Sequence, residues 1–471
     1  MNRIFCISAG QLIVKKTDNK ISRRNRYLNY GLLSLATILK QEGWNPVQIH
    51  GHFESPSITL QKCISLGFNY SSLPLLISVP SFYAISWLNE FIELVKESNP
   101  KVKIILGGRW VIGNRKDLMK KAVPKADIVV AGIADSIITQ IIRSDSSCHP
   151  INLSIKSNQI NQYPSLDYSL LVERHLYQPS IEVARGCGMG CSFCQEKDEK
   201  LLPLKAPQVL IEEIKSTIIR DELTEMTPYF EASMFVPNGK WVDEFQLLRN
   251  KYNLEFKWRA EGRVDAINSK HIKKLAQTGL KVLDLGLESA SLQQLTRMSK
   301  TKNPEKYLFR ASDLIKNAYV HNINIKVNIL LSAGENEETI SETLDWLEKH
   351  REYIKGVSVG PVIVFGWSSN TKEYIKELAR YGASISHSPA LGITHLNLSD
   401  EIDYEKSIMI SKEISRQFMG AEDYFYLKSF SYFSRDYRYE DFLADISSEK
   451  SDYSFNNALT ITNRLLNVML G

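Results

Sequence analysis

The sequence is poor in cysteine, with six among 471 residues. That is too few for a scaffold stapled by disulfides. It has no run of about 18 apolar residues, the length a helix needs to cross a bilayer, so no membrane role is expected. The apolar start Ile4-Phe5-Cys6-Ile7 is too short for a secretory signal. A dominant charge is missing as well, since 58 Lys and Arg face 53 Asp and Glu, a net +5. Nucleic-acid binders usually carry a concentrated basic stripe. The densest basic run here, Arg23-Arg24-Asn25-Arg26 after Lys15, Lys16 and Lys20, reads as a solvated loop. There is no fixed-period repeat and no low-complexity tract. What remains is 43% hydrophobic and 24% charged, the balance of globular domains. A cytoplasmic, reducing compartment is the expectation, where thiols stay free for metals or catalysis.

Over residues 1–145, extended and helical segments alternate. Residues 4–8, 46–50, 75–79, 102–106 and 127–131 read as strands, and 31–41 and 85–97 carry helical periodicity. Continuous apolar strands separated by helices predict a doubly wound parallel sheet, a Rossmann-like domain buried on both faces. Ligands of such sheets lie outside the carboxyl ends of the strands, here at 8–10, 51–52, 80–82, 107–109 and 132–135. Residues 146–178 are polar and aperiodic and read as a linker. From 179 to 385 the alternation resumes. Strands are expected at 180–185, 228–235, 254–260, 281–287, 323–331 and 355–364, and helices at 206–220, 240–252, 268–278, 303–320, 336–350 and 371–382. Such a succession of βα units gives either an open doubly wound sheet or a partial barrel. Residues 386–471 form a less regular, mostly helical accessory region. Within it, residues 424–442 hold nine aromatics. They read as a packed lid over the barrel or its open side, with a wall facing substrate or partner as the alternative.

The few cysteines are unevenly placed. Cys6, Cys63 and Cys148 are scattered, whereas Cys187, Cys191 and Cys194 crowd the segment Ala184-Arg185-Gly186-Cys187-Gly188-Met189-Gly190-Cys191-Ser192-Phe193-Cys194. That spacing lets three thiols on one tight loop converge on one metal centre. The interleaved glycines allow the positive φ angles such a loop needs. Soft thiolates select zinc, Cu(I) or an iron–sulfur cluster. Structural zinc calls for a fourth ligand at matched spacing, and the next histidine downstream is His271. A [4Fe–4S] cluster held by three cysteines instead leaves one iron open.

This loop, with Phe193 ahead of its last cysteine, resembles the signature loop of the radical S-adenosylmethionine (SAM) enzymes. The segment from Trp258 to Asp265 is similar to their third-strand motif. Gly286-Leu287-Glu288-Ser289-Ala290-Ser291, with Lys300 after it, is similar to the motif that follows their fourth strand. Leu331-Ser332-Ala333-Gly334-Glu335 resembles a degraded glycine turn after the fifth. In the N-terminal half, residues 31–36 with Gly43, 75–81 and 105–109 resemble the cobalamin-binding-type Rossmann domain that precedes the barrel in one subgroup. Gly132-Ile133-Ala134-Asp135 resembles the acidic turn that closes it.

The resemblance implies a partial (βα)6 TIM-type barrel whose Cys187, Cys191 and Cys194 hold a [4Fe–4S] cluster. SAM would chelate the open iron and be cleaved to a 5′-deoxyadenosyl radical. Phe193 would lie near the adenine, and Glu288 or Ser289 would contact the ribose or methionine part. Glu231 or Ser233 would stand in for an acidic motif after strand two, and Gly334 would keep a contact to adenine. Gly107 and Gly108 would let backbone approach a cobalamin. His50 and His52 read as hydrogen-bonded rather than cobalt-bound. Tyr229, Trp258, Arg259, Arg263 and Asn328 fall near the substrate end of the barrel. The implied activity is cobalamin-dependent C-methylation of a small molecule or peptide, supplied by an external electron donor of flavodoxin or ferredoxin type. No membrane or nucleic-acid partner is expected. One alternative is a cobalamin-free radical rearrangement or cyclisation on the same fold. The other is a non-enzymatic metal-binding protein.

Overall fold

The apolar runs of the N-terminal half become the strands of one sheet. A computed structural model describes residues 3–12, 21–111, 116–143, 151–153, 165–217, 227–366, 369–387 and 392–448. The strands are β1 (Ile4–Ser8), β2 (Pro46–His50), β3 (Leu75–Ser78), β4 (Ile104–Gly107), β5 (Ile128–Gly132) and β6 (Ile151–Leu153). They run in the order β2-β1-β3-β4-β5-β6, all parallel. Alternate residues serve two cores. Phe5, Ile7, Ile49 and Ile77 pack with Trp87 and Phe91 of the helix Ile85–Ser98. Ile4, Cys6, Leu76 and Ile105 pack with Leu33 and Ala36 of the helix Tyr30–Gln41. Burial on both faces is why these strands lack a polar alternation. The chain order reverses between β1 and β3, the place where an open α/β sheet offers its ligand crevice.

The stretch read as a linker is more than a connection where it is described. It contributes β6, and Leu166, Tyr168 and Leu171 join the core beside β1 and β3. Three residues are too few to show a period in sequence, so this strand went unread. Lys15, Lys16, Lys20 and Cys148 lie outside the described residues.

The second sheet contains β7 (Ser180–Glu182), β8 (Tyr229–Glu231), β9 (Trp258–Arg263), β10 (Leu280–Glu288), β11 (Asn324–Leu331) and β12 (Gly356–Pro361). Its strands are parallel and follow chain order without reversal. Unreversed order is what a barrel requires, and it decides against an open doubly wound sheet. The outer face, with Ile181, Phe230, Leu283 and Val357, shares one core with helix residues such as Leu210, Phe245, Leu314 and Leu347. The inner face is polar. On β11, Ile325, Val327 and Ile329 are buried in that core while Asn324, Lys326 and Asn328 alternate with them.

The third expected strand, 254–260, lies later, at Trp258–Arg263. The last, 355–364, breaks after Pro361. Its continuation, β13 (Ile363–Phe365), joins β14 (Ser384–Ile385) and β15 (Ile393–Asn397) in a small antiparallel sheet of order β13-β15-β14. The accessory region therefore begins with a strand before the helices Tyr404–Gln417, Ala421–Ser429 and Tyr439–Ser448.

The aromatic segment closes the amino end of the barrel. Asn324 Nδ2 donates to Tyr426 Oη at 3.2 Å, Arg259 Nη1 to the Leu427 carbonyl at 2.7 Å, and Thr227 Oγ1 to the Phe430 carbonyl at 2.6 Å. Those donors stand at or just before the starts of β11, β9 and β8. Further on, Arg26 N donates to the Tyr432 carbonyl at 2.7 Å and ties the segment to the N-terminal half. Among the described residues no helix is long and apolar enough to cross a membrane.

Candidate functional site

The cysteine loop follows β7 at the carboxyl end of the barrel, the end that carries active sites in such folds. Gly186, Gly188 and Gly190 all have left-handed φ, at 75°, 64° and 74°. A side chain on Gly186 would also run into the Lys200 carbonyl. Backbone bonds tie the loop across itself, with Cys187 N to Glu199 O at 2.9 Å and Gly190 N to Lys197 O at 3.2 Å. All three cysteines line one cavity of about 200 Å³. Arg263 Nη1 donates to Cys191 Sγ at 3.0 Å, and Glu196 N to Cys194 Sγ at 3.4 Å. Burial pushes the Cys187 and Cys194 thiols up. A bound cation reverses that preference and holds thiolates. Among the described residues no group of three His, Cys, Asp or Glu is preassembled for a single ion. Three soft donors on a glycine-rich loop fit a cluster, which spreads its ligands over separate irons.

The same loop borders a second cavity of about 930 Å³. One wall is formed by the carboxyl ends of the first sheet, including Ser8, Ser78, Gly107, Gly108 and Gly132. The facing wall includes Phe193, Cys194 and Glu196, and Phe193 and Cys194 line both cavities. Gly108 has φ 105°, and a Cβ there would lie 2.7 Å from Ser78 Oγ and Val79 N. Two ion pairs cross between the walls. Arg109 pairs with Glu196, and Arg185 Nη2 lies 3.3 Å from Asp135 Oδ1. The volume is at the upper end of small-molecule and cofactor pockets.

The sequence-expected residues divide by position. Glu288, the last residue of β10, has φ 69° and accepts from Lys300 Nζ at 2.9 Å, and both line the cysteine cavity. Ser233 and Asn328 line it too. Ser289 does not, because it is buried with its Oγ 3.1 Å from Thr343 Oγ1. Gly334 lies elsewhere as well, in a turn with φ 80° whose carbonyl accepts from Arg297 Nη1 at 2.9 Å. Trp258 is a core residue, stacked on Phe230 at 4.4 Å. His50 Nε2 lies 2.8 Å from Gln48 Nε2 and His52 bonds Tyr177, and neither histidine lines the large cavity.

Glu231 also stays out of the cysteine cavity. Burial pushes its carboxyl up to about 8, even though Ser180 Oγ donates to it at 2.8 Å. The ordinary value is 4.5, so between these two values only the unfolded chain is ionised. Stability therefore falls as pH rises through that window. Glu231→Gln removes the loss. Its advantage over the natural chain is expected to grow by up to about 1.4 kcal/mol per pH unit from pH 5 to 8, as read by denaturant melts.

Sequence reading missed most of the inner wall. Glu261, Asp284 and Lys326 stand in register on β9, β10 and β11. Arg259 Nε donates to Asp284 Oδ2 at 2.8 Å, with both side chains fully buried. Lys428 and Tyr432 approach from the aromatic segment. The available signal was polar residues at every second position of otherwise apolar strands, as in Asn324, Lys326 and Asn328.

A thiol triplet thus follows the first strand of a partial barrel, beside a ligand-sized cleft. Residues 181–347 match the sequence model of the radical SAM superfamily. It is 22% identical over 282 residues to a protein of Pyrococcus horikoshii named as the uncharacterized methyltransferase PH0819, covering 55% of this chain and 60% of that one. The structure of OxsB, a cobalamin-dependent SAM radical enzyme with aqua-cobalamin and SAM bound, matches with TM-score 0.60 at 15% identity, over 81% of this chain and 56% of that one. The radical SAM methyltransferase TsrM from Kitasatospora setae, solved with cobalamin and a [4Fe–4S] cluster, matches with TM-score 0.59 at 14% identity, over 83% of this chain and 82% of that one. At such identities the likeness is one of fold. The chain spans little more than half the length of PH0819 and OxsB.

Proposed function

We propose that this chain is a radical SAM enzyme and uses a [4Fe–4S] cluster on Cys187, Cys191 and Cys194, and a cobalamin in the larger cavity, to methylate a carbon of a small molecule or peptide. The observation that carries the reading is the shared cavity, bordered by the carboxyl ends of the Rossmann-like sheet on one side and the cysteine loop on the other. The fold shared with OxsB and TsrM supports it. When bound, the cluster supplies the electron that cleaves SAM, and the cobalamin supplies a methyl carrier.

The chain's own part is binding and positioning. Arg263 and the Glu196 amide donate to cysteine sulfurs and favour their charged form. The Glu288 carboxylate, oriented by Lys300, offers an acceptor for the ammonium or ribose hydroxyls of SAM. The bare backbone at Gly107 and Gly108 gives a flat macrocycle close approach. The Arg109–Glu196 and Arg185–Asp135 pairs hold the two walls against each other. Substrate would enter the polar interior of the barrel, and an external flavodoxin- or ferredoxin-type protein would deliver electrons.

Gly108→Val tests the cobalamin part. The new side chain would strike Val79 and fill the cavity wall. Cobalamin retention after desalting is expected to fall at least about tenfold, with the visible iron–sulfur absorbance unchanged. Unchanged retention contradicts the assignment. Transfer of an isotopically labelled SAM methyl group to product separates methylation from a cobalamin-free rearrangement.

A further inference from the structure

The floor of the barrel, beneath the cysteine cavity, gathers three cations, Arg259, Lys326 and Lys428, around Asp284. Asp284 is 1% exposed, and Arg259 occupies its Oδ2. Its Oδ1 has no hydrogen-bond partner, and the Lys326 ammonium is 3.6 Å away. Lys326 Nζ also donates to Asn328 Oδ1 at 3.0 Å. Lys428 reaches in from the helix Ala421–Ser429, and its Nζ lies 4.9 Å from the Tyr432 ring and 5.8 Å from the Tyr424 ring. Among the described residues this ammonium has no hydrogen-bond or contact ion-pair partner. Burial and the nearby Arg259 hold its pKa down to about 8, the mark of a cation short of a counter-charge.

Three cations, Arg259, Lys326 and Lys428, thus meet three carboxyl groups, Asp284, Glu261 and its neighbour Glu231. Burial favours the neutral form of both Glu261 and Glu231, which leaves Asp284 to offset the cations. An uncompensated cation inside a low-dielectric interior is unfavourable, and an anionic ligand relieves it. Aromatic walls stand around the same place. The Tyr432 ring lies 5.1 Å from Tyr27 and 6.2 Å from Tyr229. Tyr27 borders the large cavity, and Asp284 and Asn328 line the cysteine cavity, so the floor adjoins both.

We propose that this floor recognises a free carboxylate on the substrate, with Lys428 and Lys326 as its counter-ions and Tyr229 and Tyr432 as its walls. The placing of substrate in the barrel rests on the function proposed above. The charge preference does not depend on cobalamin.

The test is calorimetric titration of the reconstituted full chain with phenylacetate, phenylacetamide and phenethylamine, which differ mainly in charge. Phenylacetate is expected to bind at least about tenfold more tightly than either of the others. Lys428→Met is expected to bring phenylacetate and phenylacetamide within about twofold. It should leave iron–sulfur absorbance and cobalamin retention intact, and Lys428→Arg should keep the preference. Should Lys428→Met not fold, Lys326→Met reads the same loss. Equal affinities, preference for the amine, no detectable phenylacetate binding, or a preference that survives Lys428→Met overturns the proposal. Failure to retain cobalamin alongside an intact carboxylate preference counts against the methyltransferase reading alone.

Discussion

Cys191→Ala is expected to abolish the visible iron–sulfur absorbance and to lower SAM cleavage at least about a thousandfold. Replacing the partners that orient metal ligands typically costs about 10–100-fold, and a missing ligand costs more. Cys191 is the most enclosed of the triplet, 5% exposed, with its sulfur against Arg263. Among the described residues no cysteine outside the triplet lines that cavity to replace it, since Cys6 and Cys63 are buried in the N-terminal half. Arg263→Gln is the graded companion. It keeps the ligand, removes a charged donor and falls in the smaller range. Cys63→Ala should leave both readouts unchanged. Cluster absorbance that survives in Cys191→Ala contradicts the assignment.

Arg259→Met is expected to destabilise the chain by about 3–5 kcal/mol. Arg259 is 0% exposed and Asp284 1%, so removing the guanidinium leaves a carboxylate buried and short of charge. Burial pushes the Asp284 carboxyl up, but Arg259 and Lys326 hold it below the ordinary range. The Arg259 guanidinium also faces the Tyr432 ring at 4.6 Å and donates to the Leu427 carbonyl, so it anchors the aromatic segment. The cost should shrink at acidic pH, where Asp284 can protonate. Arg259→Met with Asp284→Leu should recover part of it, because the buried carboxylate goes with its main partner, although Lys326 loses its contact to Asp284. Denaturant unfolding at two pH values reads these differences. A cost below about 1 kcal/mol contradicts the description of this pair as buried and interdependent.

What could be read in the sequence was what is local. The cysteine loop carries its chemistry within eleven consecutive residues, and its glycines announce its backbone. Glu288 and Lys300 are twelve positions apart and were legible through one motif. The same motif misleads at Ser289, because similarity fixes where backbone runs but not whether a side chain turns toward a cavity or toward Thr343. Glu231 closes β8, and Ser233 lies beyond the strand's end, so a pairing on one face that the strand period would suggest does not hold and only Ser233 reaches the cysteine cavity. The barrel floor was out of reach. Its Lys428 and Tyr432 meet Arg259 across about 170 residues of chain, a contact no period or motif encodes. β6 failed for the opposite reason, since three residues carry too little pattern to separate a strand from a connection.

The proposed function requires two cofactors side by side, a cluster on the cysteine loop and a cobalamin in the larger cavity between that loop and the Rossmann-like sheet. Iron, sulfide and cobalamin content, measured on the full chain after anaerobic reconstitution and desalting, tests this most directly. One cluster and one cobalamin retained per chain is the expected result, with cobalamin lost in Gly108→Val and the cluster lost in Cys191→Ala. A chain that keeps its cluster and cleaves SAM but retains no cobalamin would contradict it.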